Sequence, residues 1–327
     1  MHGAAHPTED QAVNQLTDWR PRVALEPPLP PVSLAAIVRA FWRLTKPNLT
    51  ALVMVTTMLG LFLASDGALT LSTVLYTLLG TALTGGGACA LNMVWERDFD
   101  ALMARTAARP LPAGELPVRS ALIFSLALVT VGAMLLDQNV NRLTAALSLL
   151  AAATYVLVYT PLKRVGPIAI WVGAVPGALP PVMGFTAVRG HLDVEALLVF
   201  AILFFWQLPH FWALGLLYRD DYARGGFRLL SSTSTRTTAR NIVAWTMALI
   251  VVALQPALFG FAGPVYVVGT TAIGLWLLAR TVRLTIAPDD KALARSVFLG
   301  TIIYQPVVIL ALLADRPLAL LRLFGWP

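Results

Sequence analysis

Residues 69–100 read LTLSTVLYTLLGTALTGGGACALNMVWERDFD. The first two-thirds is an apolar run of the length a membrane helix needs, about 20 residues. The remainder carries Asn92, Glu96 and Asp100 at i, i+4 and i+8. If one helix continues through the whole stretch, these oxygen-bearing side chains lie within roughly 80° of one another. Asp98 then points elsewhere. Fold and function therefore meet in this stretch, an apolar span that ends in an acidic stripe.

The rest of the chain repeats the apolar half of that pattern. Of its 327 residues, 57% are hydrophobic and 13% charged, and the mean hydropathy is +0.73. A soluble chain needs roughly 25% charged residues to cover its surface. Apolar runs fall near 49–64, 69–93, 120–136, 143–159, 167–188, 194–217, 242–261, 265–279 and 297–314. The expected fold is all-α, a polytopic membrane protein of about nine transmembrane helices. Residues 1–40 are polar and proline-rich and read as a disordered cytoplasmic tail. Residues 41–327 read as one intramembrane domain. The single cysteine, Cys89, excludes an internal disulfide and reads as a small packing residue.

The net charge of +7 invites a nucleic-acid partner. Its distribution argues against one. With nine spans the termini lie on opposite sides, and all basic residues except Arg142, Arg189, Arg316 and Arg322 fall on one side. Positive loops mark the cytoplasmic face, so the charge is mainly a signal of orientation, with a cytoplasmic N-terminus.

The sixth span supplies a second polar cluster, FFWQLPHFWALGLLYRDDYARGGFRLLSS. Gln207, His210, Tyr218 and Asp221 are spaced to share a helical face. Asp220 and Asp221 stand at the cytoplasmic end, and Pro209 is expected to kink the helix. The fourth-to-fifth connection adds Tyr159, Lys163 and Arg164. Pro176, Pro180 and Pro181 are expected to break the fifth span, or the glycines beside them to permit close packing. A solvated helix end is the neutral alternative for each acid cluster alone, and it competes evenly with a functional site for the Asn92–Glu96–Asp100 stripe. Together, on one membrane face and among arginines, they suit a diphosphate with a hydrocarbon tail. Acids would hold it through Mg²⁺, which takes a few hard oxygens plus phosphates. Arginine forks such as Arg105 and Arg109 would bind it directly.

At these residues the sequence resembles the intramembrane aromatic prenyltransferases. Asn92, Glu96 and Asp100 followed by RTAARPLPAG match the first Asn/Asp motif, and residues 218–226 match the second acidic motif. Tyr159 with Lys163 and Arg164 matches the Tyr…Lys-Arg loop. WQLPHFWAL, DDYARGG and GALPPVMG are similar to the heme-farnesylating branch. Three positions depart from the pattern. Glu96 stands where many members have Asp, and Met93 replaces an Asp. Tyr218 and Tyr222 occupy the usual aspartate spacing around Asp220 and Asp221.

The resemblance implies that the nine helices surround a central cavity. It implies transfer of farnesyl from farnesyl diphosphate to a vinyl group of heme b, giving heme O at the cytoplasmic side of a bacterial inner membrane. Heme b is then substrate rather than cofactor, and the lipid bilayer surrounds the protein. A heme A synthase or terminal oxidase would receive the product. It also implies roles for residues. Asn92, Glu96, Asp100, Asp220 and Asp221 become candidates for Mg²⁺. Arg105, Arg109, Tyr159, Lys163, Arg164, Gln207, Tyr218 and Tyr222 become candidates for substrate binding. His210 becomes a candidate for touching heme, as ligand or proton acceptor. A prenyltransferase for a quinone precursor or chlorophyllide would share the diphosphate machinery without needing WQLPHFW. A transporter would call for matching broken helices in two halves.

Overall fold

The computed structural model describes residues 33–65, 69–228 and 234–315. Residues 1–32, most of the expected tail, lie outside the described residues, as do Arg316 and Arg322. The described elements are all helical. They are α1 (Leu34–Leu44), α2 (Pro47–Ala64), α3 (Leu71–Asp100), α4 (Val118–Asn139) and α5 (Arg142–Ala153). Then come α6 (Ile168–Arg189), α7 (Val194–Leu217), the short α8 (Arg219–Arg224), α9 (Thr235–Ala253), α10 (Pro264–Ile286) and α11 (Lys291–Ala314). Nine described segments are long and apolar enough to cross a membrane, one for each expected span.

The expected tail is too long at its C-terminal end. Helix α1 starts at Leu34, where the Ser33 hydroxyl accepts a hydrogen bond from the Ala36 amide at 3.3 Å. The helix is amphipathic. Leu34, Val38 and Trp42 form an exposed stripe, whereas Ala40 and Leu44 are buried. Such a stripe suits the membrane interface rather than water.

The spans pack as two rings joined side by side. Helices α2 to α6 close the first, with α2 returning to α6, and α7, α9, α10 and α11 close the second. Helices α6 and α7 join them. Helix α6 is the most enclosed span, with 72% of its apolar window buried inside the protein. It also corrects an expectation. Despite Pro176, Pro180 and Pro181 it runs unbroken over 22 residues. The adjoining glycines bring neighbouring backbones close instead. A β-carbon on Gly60 would lie 2.0 Å from the Pro181 carbonyl oxygen, and one on Gly184 would lie 2.3 Å from that of Thr57.

The sixth span is likewise continuous through Pro209, but it stops at Leu217. Tyr218 leaves helical geometry at φ −111°, ψ 25°, and α8 starts afresh. Asp221 is therefore not on the helix that carries Gln207 and His210, as the spacing had suggested.

Without a hydrophobic force between helices in lipid, this close approach is what holds α2 to α6. Gly184→Ala should cost about 1–3 kcal/mol by overpacking. A lowered thermal midpoint in detergent would register it, and an unchanged midpoint would refute backbone contact as the basis of this packing.

Candidate active site

Helix α3 does continue through its acidic end, so Asn92, Glu96 and Asp100 share one face. All three are buried, at 0%, 4% and 0% exposure, while Asp98 is exposed and pairs with its neighbour Arg97. A buried carboxylate is costly unless paired, and each of these groups has a basic partner. Glu96 accepts from Lys163 Nζ at 2.8 and 3.1 Å. Asp100 Oδ2 accepts from Arg109 Nη1 at 2.5 Å. Asn92 Oδ1 accepts from Lys46 Nζ at 2.9 Å.

These partners come from separate parts of the chain. Arg109 lies in the loop after α3, whose fold is fixed by Thr106, which donates to the Asp100 carbonyl at 2.8 Å. The same loop is tied to α1 by Arg43, which donates to Glu115 at 2.7 Å and to the Ala108 carbonyl. Lys163 follows a stretch of π-helix, Thr154–Tyr159, that continues α5; such bulges are frequent at functional sites. This stretch also supplies Tyr155, and the adjoining Thr160 accepts from Asn92 Nδ2 at 3.0 Å. Tyr155 donates to Asn92 Oδ1 at 3.3 Å.

Lys46 was read from sequence only as an orientation signal. It joins α1 to α2 with a left-handed backbone, φ 48° and ψ 65°, and is the single non-glycine with positive φ among the described residues. Burial pushes its ammonium down to about 8. The proline that follows disfavours a right-handed helix at Lys46, but its ordinary outcome is extended backbone, so the sequence carried no signal for this left-handed turn.

Together these groups line a polar cradle of about 60 Å³: Lys46, Asn92, Glu96, Asp100, Arg105, Arg109, Tyr159, Lys163 and Tyr222, with Met103 and Phe227. Four cations face two carboxylates, so the cradle favours an anion. Below it lies an apolar cavity of about 250 Å³ enclosed by α2, α3, α5, α6 and α7. Tyr159 lines both spaces. A charged head and an apolar tail thus have adjoining places.

The other candidates divide. Asp221 is buried, and its Oδ1 accepts from the Ala104 amide at 3.1 Å and from Arg224 at 2.7 Å. That anchors it on the loop following Asp100. Asp220 lies outside the cradle, exposed and paired with Lys291 at 3.0 Å, because α8 turns its neighbour inward instead. Tyr222 lines the cradle; Tyr218 does not, although the Arg105 guanidinium lies 5.5 Å from its ring centre. Arg164 stacks over Phe99 and lines a separate open cavity beside Phe227. Gln207 lines the apolar cavity and donates to the Ala174 carbonyl at 3.0 Å. His210 lines neither space: its Nδ1 lies 2.8 Å from Thr301 Oγ1, and its ring stacks on Trp206.

No group of three His, Cys, Asp or Glu side chains converges among the described residues. Mg²⁺ does not require one, since it commonly takes one or two carboxylates and completes its shell with water and phosphate. Two buried carboxylate oxygens, Asp100 Oδ1 and Asp221 Oδ2, have no hydrogen-bond partner. Free hard oxygens in both acid motifs fit such an ion.

Removing one member of a buried pair strands the other's charge. Arg109→Leu should therefore cost about 3–5 kcal/mol, and Asp100→Asn in the same chain should restore much of it. Thermal unfolding of the two single variants and the double variant measures the coupling. Simple additivity would mean that the pair does not hold this end of the bundle.

Comparison with known proteins agrees with the geometry. Residues 53–302 match the model of the UbiA prenyltransferase family. A protein of Koribacter versatilis named protoheme IX farnesyltransferase is 40% identical over 88% of this chain and 96% of its own length. Its namesake in Anaeromyxobacter dehalogenans is 42% identical over 84% of this chain and 92% of its own. Among solved structures, a digeranylgeranylglyceryl phosphate synthase shares the fold at TM-score 0.73, with 15% identity over 85% of this chain and 98% of its own. A UbiA homologue from Archaeoglobus fulgidus, bound to GPP and Mg²⁺, matches at TM-score 0.59 and 14% identity, covering 84% and 99% of the two chains. With an acid-and-base cradle above an apolar cavity in a bundle of nine described spans, and with relatives of this identity over nearly their full length, the chain belongs to the UbiA prenyltransferase family.

Proposed function

We propose that this protein transfers the farnesyl group of farnesyl diphosphate to a vinyl group of heme b, forming heme O at the cytoplasmic face of the membrane. The observation that carries the reading is the junction at Tyr159, where a cation-rich cradle opens onto an apolar cavity. The names of the relatives supply the acceptor. All the cradle residues come from the end of the bundle that holds most of the basic loops, the end that faces the cytoplasm by the positive-inside rule.

In this reading Lys46, Arg105, Arg109 and Lys163 bind the diphosphate oxygens, and the hydrocarbon tail lies in the apolar cavity. Asn92, Glu96, Asp100 and Asp221 would hold Mg²⁺. When bound, Mg²⁺ neutralises charge that develops on the departing diphosphate. The arginines and lysines contribute to the same stabilisation by facing the leaving oxygens before the reaction starts. The allylic C–O bond breaks and its electron pair leaves with the diphosphate. The vinyl π electrons then form the new C–C bond to the farnesyl carbon. Water adds to the resulting vinyl-derived cation and loses a proton, which leaves a hydroxyethylfarnesyl group. The apolar walls keep other water from the allylic carbon.

In the ligand-free protein each side chain of the acidic stripe already has a basic partner. Metal and diphosphate must therefore exchange partners with these pairs, and each arrival frees groups for the other. Such coupling is reciprocal and typically about 5–150-fold. Calorimetry with inorganic pyrophosphate should show binding tightened by that order in Mg²⁺ relative to a chelator. Equal affinity in both would remove Mg²⁺ from the site.

The decisive test incubates membranes containing the protein with heme b, farnesyl diphosphate and Mg²⁺, and identifies products by mass. Hydroxyethylfarnesyl heme is expected. A prenylated quinone precursor, with heme unmodified, would overturn the acceptor. Asp100→Asn and Asp221→Asn should slow turnover by at least about 100-fold, the scale set by losing one preorganised electrostatic group. Asp220→Asn should retain it.

A further inference from the structure

Most glycines in these spans are explained by packing. A β-carbon on Gly80 would lie 2.5 Å from the Leu136 side chain, and one on Gly87 would lie 2.7 Å from that of Val129. On Gly173 it would meet the Tyr159 ring at 2.6 Å, and on Gly177 the Gln207 amide oxygen at 2.0 Å. Gly85 is different. It sits within α3, is not among the described residues with positive φ, and has no atom within 4 Å of where its β-carbon would be. Neither backbone conformation nor a neighbouring helix demands glycine there, and glycine weakens a helix relative to alanine.

The space beside Gly85 is the apolar cavity itself. Gly85 precedes Asn92 by seven residues, two helical turns, and so lies on the same face of α3 about 10 Å deeper. Ala88 and Cys89 lie between them and line the same cavity. A chain that starts from a diphosphate in the cradle and enters this cavity would run down that face. Its first isoprene unit, with four carbons in line, ends above Gly85. Its later units reach it.

We propose that Gly85 is a specificity-determining residue: its missing side chain leaves room for the second and third isoprene units, and so sets the length of the allylic chain that the protein accepts. This rests on the diphosphate reading of the cradle. A β-carbon at 85 meets no protein atom and the space beyond it is the cavity, so a side chain there would collide with the long tail rather than with the fold.

The test uses the full-length protein in detergent with Mg²⁺. It measures affinities for inorganic pyrophosphate and for dimethylallyl, geranyl and farnesyl diphosphates in the wild type, Gly85→Ala and Gly85→Leu. Neither variant should fall below the wild-type thermal midpoint, since a side chain there favours the helix. Gly85→Leu should weaken farnesyl diphosphate by at least about ten-fold, the scale of overpacking a filled site, and leave pyrophosphate and dimethylallyl diphosphate unchanged. Gly85→Ala should fall between. Equal affinities for farnesyl diphosphate in wild type and Gly85→Leu would overturn the inference, as would equal weakening of all four ligands. So would a rise confined to the KM for heme, which would place the acceptor at Gly85 instead. A wild type that binds no diphosphate would instead refute the proposed function, and this inference with it.

Discussion

The end of the bundle is organised by the cost of burying Glu96 and Asp100. An unpaired carboxylate in so apolar a setting is costly. Both are paired, with Lys163 and Arg109 at 2.8 and 2.5 Å. Each delivery constrains a distant piece of chain. The loop that presents Arg109 is pinned by Thr106 to α3 and by Arg43 to α1. Lys46 reaches Asn92 only by holding a left-handed backbone just before Pro47. Such a conformation costs of order 1–3 kcal/mol and persists where the surroundings over-determine it. Here the bond to Asn92 and a second to Tyr155 at 3.3 Å do so.

The boundary between polar cradle and apolar cavity depends on the π-helical stretch Thr154–Tyr159. It presents Tyr155 and Tyr159 together, with ring centres 5.6 Å apart, one hydroxyl facing Asn92 and the other ring lining both spaces. Gly173 on α6 makes the second placement possible, since any side chain there would enter the Tyr159 ring. The Tyr159 ring also lies 4.6 Å from Lys163 Nζ, a cation–π contact that steadies the lysine over Glu96. A wide helical turn, a bare glycine and one aromatic ring thus separate a charged compartment from one fit for hydrocarbon.

Much of this was legible in the sequence, and for physical reasons. Length and hydropathy revealed the nine described spans because a bilayer dictates both. The 92–96–100 stripe was legible because helical periodicity is fixed once the helix is assumed to continue. The failures share a different cause. The prolines of α6 read as a break, but whether a proline breaks a span depends on neighbours, and Gly60 and Gly184 stand on opposite sides of that contact. The face assigned to Gln207, His210 and Asp221 assumed one continuous helix, whereas Tyr218 ends it. Asp220 and Asp221 could not be told apart because that choice is made by Ala104 and Lys291, remote in sequence from both. Lys46 was missed because its partner is Asn92, a neutral residue 46 positions away.

The surplus of cations suits the cradle to the anion that the proposed function requires. With the acids matched one to one by bases, the cradle would be electrically neutral and indifferent to a diphosphate. With fewer bases, Glu96 and Asp100 would lack partners and the helix end would not stay buried. Lys46 and Arg105 supply the difference: Lys46 rests on a neutral amide and Arg105 over the rings of Tyr218 and Tyr222. Neither is tied up by a carboxylate, so both can turn to an incoming phosphate without stranding a buried negative charge. Lys163 and Arg109 cannot do so until another cation takes over their acids. The chain therefore divides its basic residues into two that hold acids and two that hold none; in the proposed reading the first pair would turn to the diphosphate only when a metal ion relieves it.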